Sequence, residues 1–211
     1  LSRWGDAMAG AKQIFGADEL GLVANYLQAG GVLAYPSESV WGLGCDAFNT
    51  DAINQIINLK HRDIGKGLIV LTDAAERLKS LIDVSHEASL LDYMQNFSDE
   101  FTHEHSRALT WLMPIQSSAL PSVLIGSHDT LAVRITTHPV LKDLCHALIS
   151  PTNPYGFLVS TSCNPSKSTP AKNLTQAMGY FGNQIAYLDT DGLGFAQPSC
   201  IKDLLAGHIL R

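Results

Sequence analysis

The sequence predicts an α/β fold of α+β-like character: a single domain in which helices flank a twisted, mixed β-sheet. Apolar runs of strand length alternate with segments of helical periodicity, the pattern of packed layers around one core. Several strands follow one another with no helix between them, so the sheet cannot be purely parallel. The 211 residues are 45% hydrophobic and 16% charged, ordinary globular composition and enough chain to bury a core without staples.

Residues 1–16 carry no clear pattern and read as an extra helical turn or a loose lead, so the domain is placed at 18–211 and the lead at 1–17. From 18 to 29, Leu20, Val23, Ala24 and Leu27 recur at helical spacing, and Gly30-Gly31 stops the helix. Residues 32–35 are a buried strand ended by Pro36, which has no N–H for the ladder. A polar turn of Ser37, Glu38 and Ser39 follows, with Gly42 and Gly44 giving backbone freedom. Thr50 or Asp51 caps the next helix. Ile53, Ile56, Ile57 and Lys60 share one stripe of that helix, so Lys60 continues a buried face to the helix end.

A strand is predicted over 67–71, helices over 74–81 and 86–96, and a polar, histidine-rich loop over 98–106. Residues 108–113 and 130–135 read as strands. Residues 138–149 read as a helix with Pro139 in its first turn. After a turn-rich loop to 156 come a strand over 157–161, a helix over 171–181 and a strand over 184–188. A hairpin around Ala206-Gly207 closes the chain.

Two stretches draw attention to function. Tyr35-Pro-Ser-Glu-Ser-Val-Trp-Gly-Leu-Gly44 is a strand running into hydroxyls. Leu59-Lys-His-Arg-Asp-Ile-Gly-Lys-Gly-Leu-Ile69 places Lys60, Arg62 and Lys66 within seven residues, in a chain of net charge -6. A solvated charged turn is the plainer account of those residue types. A phosphate cradle is the other, since Arg grips phosphate bidentately and Lys acts as a point charge.

Ser160-Thr-Ser-Cys-Asn-Pro-Ser166 offers hydroxyls and an amide to an anion or a ribose, or else forms a capped turn. Arg134 lies in the apolar strand Leu131-Ala-Val-Arg-Ile135 and needs a partner, either a structural Asp or Glu or a ligand carboxylate.

Other classes find less support. With 14 Lys+Arg against 20 Asp+Glu, a generally basic nucleic-acid binder is disfavoured, though a locally basic concave surface could still serve tRNA or ribosomal RNA without catalysis. Cys45, Cys145, Cys163 and Cys200 form no close pair and read as small buried residues of a reducing compartment. His103 and His105 could face one side of an extended segment, but no third metal ligand accompanies them. No Gly-x-Ser-x-Gly elbow and no Gly-x-x-x-x-Gly-Lys-Ser/Thr loop occurs, which sets aside the common hydrolase and P-loop readings. No apolar run reaches membrane-spanning length. No signal peptide is legible in a sequence that starts at Leu1, and a cytoplasmic location is expected.

Six ordered segments together resemble the YrdC-domain family, in particular its short bacterial TsaC-type branch. They are Ala34-Tyr-Pro-Ser-Glu-Ser-Val-Trp-Gly-Leu-Gly-Cys-Asp46, Leu59-Lys-His-Arg62, Lys66-Gly-Leu-Ile69, Leu131-Ala-Val-Arg-Ile-Thr136 with His138-Pro139, Ser160-Thr-Ser-Cys-Asn164, and Pro198-Ser-Cys-Ile-Lys-Asp203. The resemblance implies a single domain with a deep concave cleft. It implies synthesis of threonylcarbamoyl-AMP from L-threonine, bicarbonate and ATP, with Mg²⁺ carried on the ATP phosphates and pyrophosphate released. The product would feed a downstream tRNA threonylcarbamoyl-transferase complex.

Carried over, Lys60 and Arg62 become the catalytic cations. Lys60, Arg62, Lys66, Thr130, Ser162, Asn164 and Ser199 become the ATP site, and Ser37, Ser39, Arg134 and Ser160 the threonine site. No protein-held metal is implied. Ser37 and Ser39 stand where the family usually has threonines, and Asp63 where it has proline. Ser106-Arg-Ala-Leu-Thr110 replaces a Trp-Pro-Gly-Pro-type turn, and residues 149–156 look inserted. A YrdC-like domain that binds nucleotide but has lost threonine activity is the reading that Ser37, Ser39 and Asp63 keep open.

Overall fold

A computed structural model describes residues 13–82, 87–115 and 120–210. Its strands are β1 (Ile14–Gly16), β2 (Leu33–Pro36), β3 (Trp41–Gly44), β4 (Ile69–Thr72), β5 (Leu109–Pro114), β6 (Thr130–Ile135), β7 (Leu158–Ser162), β8 (Ala186–Asp189) and β9 (Cys200–Asp203). The helices are α1 (Leu20–Gln28), α2 (Thr50–Lys60), α3 (Glu87–His105), α4 (Ser122–Ile125), α5 (Pro139–Ala147) and α6 (Leu174–Phe181). The strands form one mixed sheet in the order β1-β8-β2-β3-β7-β4-β6-β5-β9. β4 runs parallel to β6 and antiparallel to β7, and β9 runs parallel to β5.

Strand alternation sends side chains to two unlike faces. Leu43, Val70, Trp111, Val133 and Val159 point into a large core that also holds Ile53 and Ile56 of α2 and Phe181 of α6. On the opposite face Leu33, Tyr35, Leu71 and Leu158 pack against Val23 and Leu27 of α1 and Leu141 and Leu144 of α5. That second cover is partial. Ile69, Leu112, Thr130, Ala132 and Ile201 lie on the same face and stay half-buried. The mixed α/β sheet agrees with expectation, and the candidate site lies on this half-covered part of one face.

Several local readings are corrected. The last residues of the segment taken as a lead, Ile14–Gly16, pair in parallel with β8; residues 1–12 lie outside the described residues. Residues 41–44, read only as a glycine-rich continuation of the turn, form a strand. Its glycines are required by contact: a Cβ on Gly42 would lie 2.6 Å from the Tyr35 ring, and one on Gly44 1.9 Å from the Val159 carbonyl oxygen. Gly44→Ala is therefore expected to cost about 3 kcal/mol, the upper end for overpacking. A denaturant midpoint equal to wild type would refute this.

The predicted loop at 98–106 is the continuation of α3. Phe101 and Thr102 are buried along it, and Ser98 receives the Trp111 indole N–H at 2.9 Å. His105 stacks on Phe101 with ring centroids 4.3 Å apart. Among the described residues no group of three or more His, Cys, Asp or Glu is placed to hold a metal ion. The helix expected over 74–81 is present as a 3-10 helix over Ala75–Leu81, and α4 was not foreseen. The closing hairpin reduces to β9 and a single bridge from Lys202 to Ile209.

The loop at 149–156 is tightly built. Its buried Asn153 donates to Asp46 Oδ1 (3.0 Å) and to Phe157 O (2.9 Å), bracing the approach to β7. All four cysteines are buried and unpaired. Burial pushes the Cys163 thiol up to about 12. No helix among the described residues is long and apolar enough to cross a membrane.

Candidate active site

The cationic joint is built by helix termination. Asn49 caps α2, its Oδ1 accepting from Ala52 N at 3.0 Å. The helix ends at His61, which adopts a left-handed conformation (φ 50°). That residue ends the helical path, and the chain beyond it carries Arg62 and Lys66. Asp63, the departure from proline, caps the following 3-10 turn by accepting from Gly65 N at 2.9 Å. Arg62 donates through Nη2 to Gly67 O (2.9 Å), while its buried Nε has no partner among the described residues. Arg62 and Lys66 line a cleft of about 390 Å³ whose floor includes Leu112, Thr130 and Ala132.

Lys60 does not share that wall. It is 4% exposed, as its helical stripe predicts. Its ammonium donates to Ser162 O, to Asn164 O (2.7 Å) and to Asn164 Oδ1 (3.4 Å). Burial, with the Arg62 charge nearby, brings the ammonium down to about 8. The Asn164 amide nitrogen donates to Pro165 O and Ser168 O at 2.9 and 2.7 Å. Lys60 and Asn164 thus clamp the end of β7 to the end of α2. The three cations, which the sequence presented as one cluster, divide into two that face the cleft and one that supports it from behind.

The other end of the same sheet face is built around Arg134. Its Nη1 pairs with Glu38 Oε2 at 3.1 Å, and its Nε lies 3.3 Å from Thr110 Oγ1. Thr136 donates its hydroxyl to Glu38 Oε1 at 2.8 Å. Burial alone would raise the fully buried Glu38 carboxyl, but Arg134 and Thr136 outweigh it and hold the group below its ordinary range. The partner that a buried strand arginine requires is therefore Glu38. Among the described residues no hydrogen bond joins the Nη2 edge of Arg134.

Ser37 donates to Val40 O at 2.6 Å, keeping its lone pairs for an acceptor role. Ser39 is half-buried beside it. Register places Ser160 opposite Ile69 and Ser162 opposite Gly42, so both point to the face that carries Arg134. Thr130 stands at the Arg62 end. Ser199 precedes Cys200, which pairs with Leu109, so it stands at the Arg134 end and apart from the nucleotide residues with which it was grouped. Glu38, Thr110, Thr136 and His138 were not foreseen as site builders. For Glu38 the available signal was a carboxylate between two strands that both had to be buried.

Fold and site define an α/β domain with a half-covered sheet face, which carries a cleft lined by Arg62 and Lys66 toward one end and an arginine braced by Glu38 toward the other. The Sua5_yciO_yrdC family model, described as Telomere recombination, matches residues 25–211, and the chain belongs to this family.

The chain is 96% identical over 204 residues to the threonylcarbamoyl-AMP synthase of Moraxella catarrhalis strain BBH18, covering 97% of this chain and 100% of that one. It is 43% identical over 201 residues to the protein of the same name from Psychrobacter arcticus, covering 89% and 93%. In fold it resembles P. abyssi Sua5 complexed with L-threonine (TM-score 0.73, 22% identity, 93% of this chain and 55% of that one). E. coli YciO is similarly related (TM-score 0.66, 16% identity, 92% and 90%).

Proposed function

We propose that the chain synthesises L-threonylcarbamoyladenylate from L-threonine, bicarbonate and ATP. The observation that carries this reading is the pairing, on one sheet face, of an Arg62–Lys66 end with an Arg134 braced by Glu38. The 96% identity to a protein named for that activity supports it. The threonine amine adds to bicarbonate and water leaves, giving a carbamate. A carbamate oxygen then attacks the α-phosphorus of ATP and pyrophosphate departs.

No side-chain nucleophile enters, so catalysis is positioning plus charge neutralisation. Arg134 receives the threonine carboxylate through its Nη2 edge, with Ser37, Ser39 and Ser160 around the amino acid. Arg62 and Lys66 hold the phosphates, with Thr130 and Ser162 toward the nucleotide. Lys60 acts from behind, through the peptide oxygens it holds. Mg²⁺ would arrive on the phosphates, coordinated by their oxygens and water. The product suits a downstream threonylcarbamoyl transfer to tRNA in the cytoplasm.

Purified protein is expected to release pyrophosphate from ATP only when bicarbonate and threonine are both present, with serine a poor substitute. Release without threonine would overturn the assignment. RNA binding of steep salt dependence with no turnover would favour the non-catalytic alternative.

A further inference from the structure

We propose that the strap between β8 and β9, residues 190–198, is the outer wall of the amino-acid end of the cleft, and that His138 is the positioning residue that holds it in place. The inference rests on the threonine reading of that end. The strap crosses the turn that builds the site. Leu193 N donates to Ser37 O (3.2 Å) and Phe195 N to Glu38 O (2.7 Å). Glu38 is thus fastened twice, its carboxylate to Arg134 and its carbonyl to the strap. Gly192 runs so close that a Cβ would lie 2.8 Å from Ser37 O.

His138 reaches the strap from the other side. It is 1% exposed and stands just before α5. Its Nε2 lies 2.8 Å from Asp191 O. A carbonyl only accepts, so Nε2 carries a proton and donates it to Asp191 O. Nδ1 is buried with no partner among the described residues. A buried polar atom without a partner is costly, and an apolar ring would fill the space without that cost. The hydrogen bond to the strap is what the imidazole adds. Its backbone N also lies 3.3 Å from Thr136 Oγ1, so it belongs to the network that orients Arg134.

The strap has little packing of its own. Residues 191–194 and 196–198 are exposed, so it depends on these bonds and on Arg107 Nε, which donates to Pro198 O at 2.7 Å. Its bonds set Leu193 and Phe195 beside Ser37 and Glu38. Ser37 and Ser39 lack the methyls of threonine, and the strap supplies the apolar wall for a substrate methyl in their stead. One methylene-sized contact discriminates roughly 10–200-fold, the scale needed to prefer threonine to serine.

The test uses the full chain with His138→Ala, His138→Gln and Gly192→Ala. KM for threonine and for ATP is read from pyrophosphate release, and chymotryptic cuts after Leu193 and Phe195 are mapped by mass. His138→Ala should raise the threonine KM about tenfold, the scale of one lost buried hydrogen bond, leave the ATP KM within about twofold, and speed both cuts. His138→Gln carries an N–H that reaches the same carbonyl and should restore most of both. Gly192→Ala keeps the imidazole, pushes the strap off Ser37 and should repeat the threonine effect, which decides the matter if His138→Ala fails to fold. Threonine and ATP KM rising together, a glutamine variant no better than alanine, or a silent Gly192→Ala would overturn the proposal. Wild type lacking threonine-dependent release would sink the threonine reading and the wall with it; normal wild-type release with unchanged threonine KM in the variants would sink the wall alone.

Discussion

Arg134→Ala is expected to remove at least 99% of threonine-dependent pyrophosphate release and, separately, to destabilise the fold by about 3–5 kcal/mol, because it strands the buried Glu38 carboxylate. The two losses have different origins and can be separated. Glu38→Gln added to Arg134→Ala removes the stranded charge, so much of the lost stability should return while activity stays absent. Arg134→Lys keeps a charge without the planar fork that serves Glu38 and a second carboxylate together, and should retain the fold better than the function. An Arg134→Ala enzyme with near-normal threonine KM would show that the arginine is a structural partner of Glu38 and nothing more.

The second large effect is at Lys60. Lys60→Ala should lower pyrophosphate release about a hundredfold, and the peptide oxygens it leaves unpaired should cost about 1–3 kcal/mol. The pH dependence separates function from stability. The ammonium titrates at about 8 in the folded protein, against roughly 10.4 in the unfolded chain. The folded state therefore sheds this proton first. Below pH 8 the buried charge burdens folding, and the burden fades as pH rises from about 8 to 10. The oxygens around Lys60 call for the charged form, so activity should fall over the range in which this group makes the fold more stable. Melting temperature and turnover measured across pH 7–10 should move in opposite directions, and Lys60→Ala should lose that component of both. Parallel profiles would contradict the clamp.

What could be read from the chain alone was set by local chemistry. The alternation of Leu131, Val133 and Ile135 gave β6, and the stripe of Ile53, Ile56 and Lys60 gave both α2 and the inward turn of its last lysine. The need of Arg134 for a partner was plain, but the partner was not, since Glu38 lies 96 residues away and only the sheet joins them. Gly42 and Gly44 hid β3 because glycine is a poor strand former. What keeps them there is the Tyr35 ring and the Val159 carbonyl, both tertiary facts. Polar composition hid the second half of α3, although Met94, Ser98, Phe101 and Thr102 recur at helical spacing and are buried. The division of labour among Lys60, Arg62 and Lys66 falls where α2 ends at a left-handed residue, His61, that residue type does not announce.

The strand order carries a consequence for how the molecule comes into being. β7 pairs with β3 on one side and β4 on the other, so residues near 160 must find partners near 42 and 70. β8, near 187, sits between β1 and β2. Six of the eight ladders among the described residues, all but β2–β3 and β5–β6, close a loop of many tens of residues before any contact rewards it. Such a topology folds slowly and all at once. A ribosome that has made the first 150 residues has made Glu38, both cations of the cleft and Arg134, and still lacks β7, the strand that joins β3 to β4. Neither half of the chain is a smaller working version of the whole.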